Sequence, residues 1–171
     1  QVALVTGANR GIGARVATNL VDLGATVYAG TRDVEAVEAA DGLVPVELDV
    51  TDDAAIEAAV ERVESQAGRL DVLVNNAGVA PGPPGRPLLD TPMADFDRAM
   101  AVNLRGPVAL TKRALPMLLS RDGSRVVNVS SGMGALGEGM SGGAPGYRIS
   151  KAGLNALTVY LHGEYGSVDG V

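Results

Sequence analysis

Glycines at positions 7, 11 and 13 stand between a short apolar run, Val2-Ala3-Leu4-Val5-Thr6, and a segment whose apolar residues Ile12, Val16, Leu20 and Leu23 recur at helical spacing. A run that is apolar at every position and bounded by glycine reads as a strand buried on both faces of a parallel sheet. A parallel strand must be followed by a crossover, and glycine lets the chain turn tightly from strand into helix. The same turn aims the first N–H groups of that helix at one point, where an anion such as a pyrophosphate is stabilised. The spacing is Gly-x3-Gly-x-Gly rather than the commoner Gly-x-Gly-x2-Gly, but the requirements are the same: a tight turn and close backbone approach to phosphate. Any strand-to-helix turn recruits glycine, so the rest of the chain has to carry the functional reading.

The alternation begun by that turn continues. Strands are expected over residues 25–30, 43–50, 70–75 and 125–130. Helices are expected over 11–23, ended by Gly24, weakly over 33–40, and over 52–66, where Ile56, Val60 and Val63 form one stripe behind an Asp-rich first turn. A long helix over 92–120 contains Gly106-Pro107, which predicts a kink there. A last helix spans 147–162. Each strand-helix-strand unit is long enough to pair its strands in parallel, so the fold class is α/β, a doubly wound parallel sheet of the Rossmann type. One domain over 1–171 is the expected organisation. Gln1 stands directly against the first strand, and residues 163–171 close a helix and begin a turn with no strand after it. The sequence therefore reads as cropped at both ends and lacking its C-terminal strands.

Composition removes several classes of function. With 20 acidic against 14 basic residues, net charge −6 and no basic stripe, a nucleic-acid partner is not expected. The absence of cysteine excludes disulfides, thiolate zinc sites and cysteine nucleophiles, and no metal site is expected. The single histidine, His162, has no Gly-x-Ser-x-Gly elbow before it, which argues against a serine hydrolase triad. No leader and no apolar run of membrane-spanning length is present, so no membrane partner is expected and the expected compartment is the cytoplasm.

Tyr147 and Lys151 carry the chemistry. Four residues apart on a helix, they share one face. A phenol titrates near 10 and is a poor acid or base at neutrality, but an ammonium group beside it favours the phenolate. Alone, such a pair is ordinary surface amphipathicity.

Five features in order change that reading. The Thr6-Gly7-Ala8-Asn9-Arg10-Gly11-Ile12-Gly13 turn, Asn75-Asn76-Ala77-Gly78 after the fourth strand, Asn103 in the long helix, Ser131 after the fifth strand, and Tyr147-x3-Lys151 resemble the short-chain dehydrogenase/reductase family, over nearly the whole chain. The resemblance implies hydride transfer between NADP(H) and a small carbonyl or alcohol substrate. Tyr147 would exchange a proton with the substrate oxygen. Lys151 would support the phenolate and hold the nicotinamide ribose. Ser131, with Ser130 as its neighbouring rival, would hydrogen-bond the substrate oxygen, and Asn103 would hold a water chain. The separation from Ser131 to Tyr147 is 16 residues where close relatives have 13, so the loop between them is longer and the substrate pocket altered. The loops over 81–87 and 132–146 would wall that pocket, the first stiffened by Pro83, Pro84 and Pro87. Asn75 is expected to brace the sheet or touch a ligand.

The resemblance also assigns a cofactor set: Gly7, Asn9, Arg10, Gly11, Ile12, Gly13, Thr31, Arg32, Asp49, Val50, Asn76, Ala77 and Gly78, with Tyr147 and Lys151. Where relatives that prefer NAD carry an acidic residue at the end of the second strand, this chain has Thr31 followed by Arg32, and Arg10 lies in the turn. Two guanidinium groups suit a 2′-phosphate, hence NADP(H). Asp33, two residues on, is the counter-indication. Asp49-Val50 resembles the adenine contact. Competing readings are a catalytically weak nucleotide-binding module, an enoyl-thioester reductase, whose Tyr and Lys are spaced more widely, and a sugar-nucleotide epimerase, whose glycines are spaced differently. Phe96, Met100, Leu104, Leu110, Leu115, Leu118, Leu154, Leu157 and Leu161 add apolar helix surface, and relatives pair these helices about a two-fold axis. A homodimer or homotetramer is expected.

Overall fold

A computed structural model describes residues 1–137, 140 and 142–166. Residues 167–171, where a turn is expected, lie outside that set, as do three residues of the 132–146 loop. Five strands, β1 (Val2–Thr6), β2 (Thr26–Thr31), β3 (Leu43–Glu47), β4 (Val72–Asn75) and β5 (Arg125–Asn128), form one parallel sheet in the order β3-β2-β1-β4-β5. The chain winds from β1 outward to β3, then returns to the other side of β1 for β4. The strand order therefore reverses between β1 and β4, and the crevice beyond their C-terminal ends is where such sheets bind ligands.

Helices α1 (Gly11–Asp22), α2 (Asp53–Ala67), α3 (Met93–Met100), α4 (Gly106–Leu119) and α5 (Pro145–Tyr165) complete the fold. One core joins Leu4, Tyr28 and Leu73 of the sheet to Ile56, Val60 and Val63 of α2 and Leu110 and Leu118 of α4. The other joins Ala3, Val5, Val27 and Val74 to Ala17 of α1, with Val16 and Leu20 packed against it. The α2 stripe is as expected, capped by Asp52, whose Oδ1 accepts the amides of Ala54 and Ala55 at 2.8 and 3.4 Å. α1 also forms where its spacing predicts, although of its four apolar residues only Val16 and Leu20 pack on the core, and Ile12 and Leu23 are 64% and 84% exposed. The helix instead turns the small residues Gly13 and Ala17 inward, because it lies too close to β1 for a large side chain.

Three further elements depart from expectation. Residues 33–40 contain only a short 3₁₀ turn, Val34–Ala36, whose residues are all exposed; without a buried face so short a helix has nothing to hold it. The third strand stops at Glu47. The helix over 92–120 is divided into α3 and α4 by a π-helical turn, Ala101–Arg105, in which the Gly106 amide bonds the Ala101 carbonyl five residues back. The break thus lies upstream of Gly106-Pro107. Proline has no N–H to offer the carbonyl of Asn103, four residues earlier, and the widened turn relieves its ring from that carbonyl.

Of the apolar helix residues expected to face a partner, Leu110, Leu118 and Leu154 are buried within the chain. The exposed apolar residues on α4 and α5 are instead Val108, Leu119, Ile149, Val159 and Tyr160. Among the described residues no helix is long and apolar enough to cross a membrane, and no group of His, Asp or Glu is arranged to hold a metal.

Candidate active site

At the strand-order reversal the ends of β1 and β4 are stitched together. The Thr6 hydroxyl accepts the amides of Asn76 and Ala77, each at 2.9 Å, and donates toward the Val74 carbonyl at 3.4 Å. The Asn76 side chain donates to the Thr6 and Gly7 carbonyls at 2.8 and 3.2 Å. Gly7 takes φ +63°, and a Cβ there would stand 3.1 Å from the Ala77 backbone; a Cβ on Gly13 would collide with the Gly7 carbonyl and the Asn76 amide group. Gly13 therefore seats α1 on β1. Gly11, at φ +59°, faces open space.

This geometry leaves a cleft of about 370 Å³ at the N-terminus of α1. It is lined by twelve of the residues assigned to a cofactor: Gly7, Asn9, Arg10, Gly11, Ile12, Thr31, Arg32, Asp49, Val50, Asn76, Ala77 and Gly78. Gly13, Tyr147 and Lys151 do not line it. Residues missed from sequence also line it: Leu48, Val79, Arg98 and Val102, together with Asp33. The Arg98-Val102 spacing of four on a helix was the available signal. Thr31 is buried, and its hydroxyl both accepts the Asp33 amide and donates to the Asp33 carbonyl, each at 3.1 Å. Its side chain is therefore engaged in a local turn. Asp49 accepts the amide and hydroxyl of Thr51 at 2.9 and 2.7 Å. Burial pushes its carboxyl up, but those bonds and the Arg32 guanidinium outweigh burial and hold it below the usual carboxylate range.

The second cluster lies where α5 meets the end of β5. Pro145 opens α5 in the first turn, placing Tyr147 near its start and Lys151 one turn later. Lys151 Nζ lies 5.8 Å from the centre of the Tyr147 ring and donates to the Val129 carbonyl at 2.6 Å. Lys151 is only 4% exposed, and burial pulls its ammonium below the usual lysine range. Asn103, fully buried, accepts the Val79 amide and donates to the Val79 carbonyl, both at 2.8 Å, and donates to the Ser150 hydroxyl at 3.0 Å. Ser150 passes the link on, donating to the Tyr147 carbonyl at 2.8 Å. Asn103 thus ties the loop after β4 to the helix that carries Tyr147 and Lys151. A Cβ on Gly78 would stand 3.4 Å from Asn103 Oδ1 and 3.7 Å from Lys151 Nζ, so the cleft's far end adjoins this cluster.

Ser131 caps a 3₁₀ turn, Gly132–Gly134, its hydroxyl accepting the Met133 amide at 3.2 Å. Its neighbour Ser130 donates toward the Lys151 carbonyl at 3.4 Å, which turns it onto α5. Asn75 donates to Thr111 and Asn128 at 3.1 and 2.9 Å, bracing β4 against α4 and β5. The two glycine-rich loops meet beside Tyr147. A Cβ on Gly143 would collide with Gly85, and the Ala144 amide donates to the Arg86 carbonyl at 3.1 Å. The pocket between them, bordered by Tyr147, Phe96 and the Arg86–Asp95 ion pair (2.6 Å), has only about 10 Å³.

Known proteins resemble this chain in sequence and fold. The sequence profile of the short chain dehydrogenase family matches residues 1–169. An uncharacterized oxidoreductase of Thermotoga maritima is 37% identical over 96% of this chain and 66% of its own. The 3-oxoacyl-[acyl-carrier-protein] reductase FabG of the same organism is 38% identical over 92% of this chain and 65% of its own. The crystal structure of a short-chain dehydrogenase from Streptomyces avermitilis superposes with a TM-score of 0.90 at 33% identity, over 98% of this chain and 61% of that one. The chain spans about two thirds of the length of these relatives. With the glycine turn, the parallel sheet and the profile in agreement over nearly every residue, the chain belongs to the short-chain dehydrogenase/reductase family of oxidoreductases.

Proposed function

We propose that residues 1–171 form the dinucleotide-binding and catalytic domain of an NADP(H)-dependent oxidoreductase that interconverts a carbonyl and an alcohol. The observation that carries the reading is the buried Lys151 ammonium, one helical turn from Tyr147, at the end of a cleft that starts on a helix N-terminus. The cleft suits a dinucleotide: Gly7 and Gly11 hold backbone conformations that bring the turn close to a phosphate, and a side chain at Gly11 would fill the space in front of α1. Gly7, Asn9, Arg10, Gly11, Ile12, Asn76, Ala77 and Gly78 would hold the pyrophosphate and ribose. Asp49 and Val50 would hold the base. Arg32 and Arg10 would take a 2′-phosphate through charge-assisted bonds, while the engaged hydroxyl of Thr31 leaves that task to the arginines.

A bound nicotinamide supplies or accepts the hydride. The chain's own residues handle the proton: Tyr147 donates it to the substrate oxygen during reduction and withdraws it during oxidation. The phenolate left behind is stabilised by the adjacent Lys151 charge, strengthened by burial. The free O–H of the Ser131 hydroxyl, whose lone pair already caps Met133, is available to the substrate oxygen. Asn103 acts through its backbone rather than its amide, which is fully engaged. Pro107 has no N–H to offer the Asn103 carbonyl, which would hold the water that returns the proton. A spacing of four between Tyr147 and Lys151 favours this over enoyl-thioester reduction. Association through α4 and α5, where Val108, Ile149, Val159 and Tyr160 are exposed, completes the reading as a homodimer or a tetramer built from it.

The test is to follow NADPH consumption by the full-length protein against a panel of aldehydes, ketones and 3-oxoacyl thioesters, and NADP⁺ reduction with the matching alcohols. Turnover of at least one carbonyl class is expected. Tight NADPH binding with no turnover of any member would favour the nucleotide-binding module instead.

A further inference from the structure

Of the three arginines that line the cleft, Arg98 alone has no part in the binding described above. Its side chain has no ion-pair or hydrogen-bond partner among the described residues, whereas Arg69, Arg86, Arg105 and Arg113 are each paired with a carboxylate. The cleft contains Arg10, Arg32 and Arg98 against Asp33 and Asp49, and three minus two leaves one net positive charge in a chain whose net charge is −6. An unpaired arginine on the wall of such a cleft is poised for a ligand rather than for the fold.

Its position narrows which part of the ligand. Arg98 sits one helical turn before Val102, and both line the cleft, so α3 and the π turn after it present a single stripe there. Val79, whose backbone is bonded by the Asn103 side chain, and Val50, against which Gly106 packs, line the cleft beside this stripe. Three valines offer flat contact to a ring and no hydrogen bond to a phosphate. The polar group beside Val50 is the Asp49 carboxylate, which holds its charge and suits an amino group. The phosphate-holding groups belong to a different set, the amides at the start of α1 with Arg10. A planar guanidinium beside an apolar wall is suited to lie over an aromatic face. We propose that Arg98 covers the adenine ring of the bound dinucleotide, with the base lying against Val50 and Val102, so that Arg98 sets affinity for the adenosine half without choosing between the two nicotinamide cofactors. The inference rests on the dinucleotide reading above.

Calorimetric titration of the full-length protein with NADPH, NADH and reduced nicotinamide mononucleotide, which lacks the adenosine half, tests it. Arg98→Ala should weaken NADPH and NADH by a common factor of about fivefold, the scale of a partly exposed cation–π contact. Binding of the mononucleotide should be unchanged. Arg98→Lys, which keeps the charge but not the planar group, should recover only part of the loss. A loss confined to NADPH would assign Arg98 to the 2′-phosphate and overturn the proposal, as would unchanged affinity for both dinucleotides. Failure of the wild-type protein to bind any dinucleotide would instead overturn the dinucleotide reading itself. Circular dichroism of each variant separates lost contacts from lost folding.

Discussion

On the β1–β2 side of the sheet the strands are almost wholly buried, and their ends open into a cleft of about 370 Å³; on the β5 side Arg125 and Val127 are exposed, and the pocket beside Tyr147 has about 10 Å³. The first side is shaped by backbone meeting backbone: Gly7 against Ala77 and Gly13 against the Gly7 carbonyl, with Thr6 and Asn76 fixing the distances. The second is shaped by loops that meet where Gly143 packs on Gly85 and the Ala144 amide reaches the Arg86 carbonyl. On the proposed reading, cofactor binding would be a property of contiguous strand ends and would tolerate little change. Substrate choice would depend on loop surfaces that the described residues do not close into a large cavity.

If that contrast is right, the cofactor side breaks first. Gly13→Val should abolish dinucleotide binding and cost about 3 kcal/mol of stability, the upper range for overpacking, because its side chain has only backbone and the Asn76 amide to displace. Gly137→Ala on the substrate side, where an added Cβ meets nothing within 4 Å, should leave both nearly unchanged. Calorimetric binding and urea unfolding measure both, and equal sensitivity of the two sites would remove the distinction.

Cofactor preference sharpens the comparison within the cleft. Arg32→Asp should shift the ratio of NADPH to NADH affinity by about 10- to 100-fold toward NADH, the effect of losing a charge-assisted bond of roughly 1.5 to 3 kcal/mol. An unchanged ratio would show that Arg10 or another group selects the cofactor.

The smallest expected effect concerns the sheet beneath both sides. Asp71 accepts the Val2 amide at 2.7 Å and two bonds from Arg69, at 3.0 and 2.5 Å, tying the approach to β4 to the start of β1. Burial would raise its carboxyl, but these bonds outweigh burial and lower it. The unfolded carboxyl titrates near 3.9, so the contribution is complete above that value and is lost as pH falls through the lower folded one, in the acid range about and below pH 4. Asp71→Asn should cost about 1 kcal/mol near neutrality, less than a buried charged bond because Arg69 is 39% exposed. The deficit should shrink in acid; a deficit that does not depend on pH would point to packing rather than charge.

Periodic signals in the sequence anticipated the sheet and the α2 stripe because buried strands and amphipathic helices write their burial into consecutive residues. The same spacing in α1 announced the helix but not its buried face: Val16 and Leu20 pack on the core, whereas Ile12 and Leu23 lie exposed at its two ends, Ile12 on the cleft. The π turn was also invisible as such: Gly106-Pro107 announces a disturbance, but its form depends on Asn103 being held by Val79 and Ser150, contacts 24 and 47 residues apart in sequence. Val79 leaves no local pattern for the same reason, since a cleft assembled from separate elements writes none, whereas Arg98 and Val102 carry only a spacing of four that any amphipathic helix shows. Thr31 stands at the end of β2 as its position in the chain suggested, but the engagement of its hydroxyl with the Asp33 backbone could be seen only once the turn was built.

On this account Tyr147 moves the proton, while the dinucleotide is held chiefly by the cleft. Single-turnover hydride transfer by full-length Tyr147→Phe, followed by NADPH absorbance with a carbonyl substrate and set beside its NADPH affinity, tests both halves at once. The account predicts a fall in the transfer rate of about 10²- to 10⁴-fold, the scale of a lost general acid, with affinity nearly unchanged. A variant that transfers hydride at close to the wild-type rate, or one whose NADPH affinity collapses along with its rate, would contradict it.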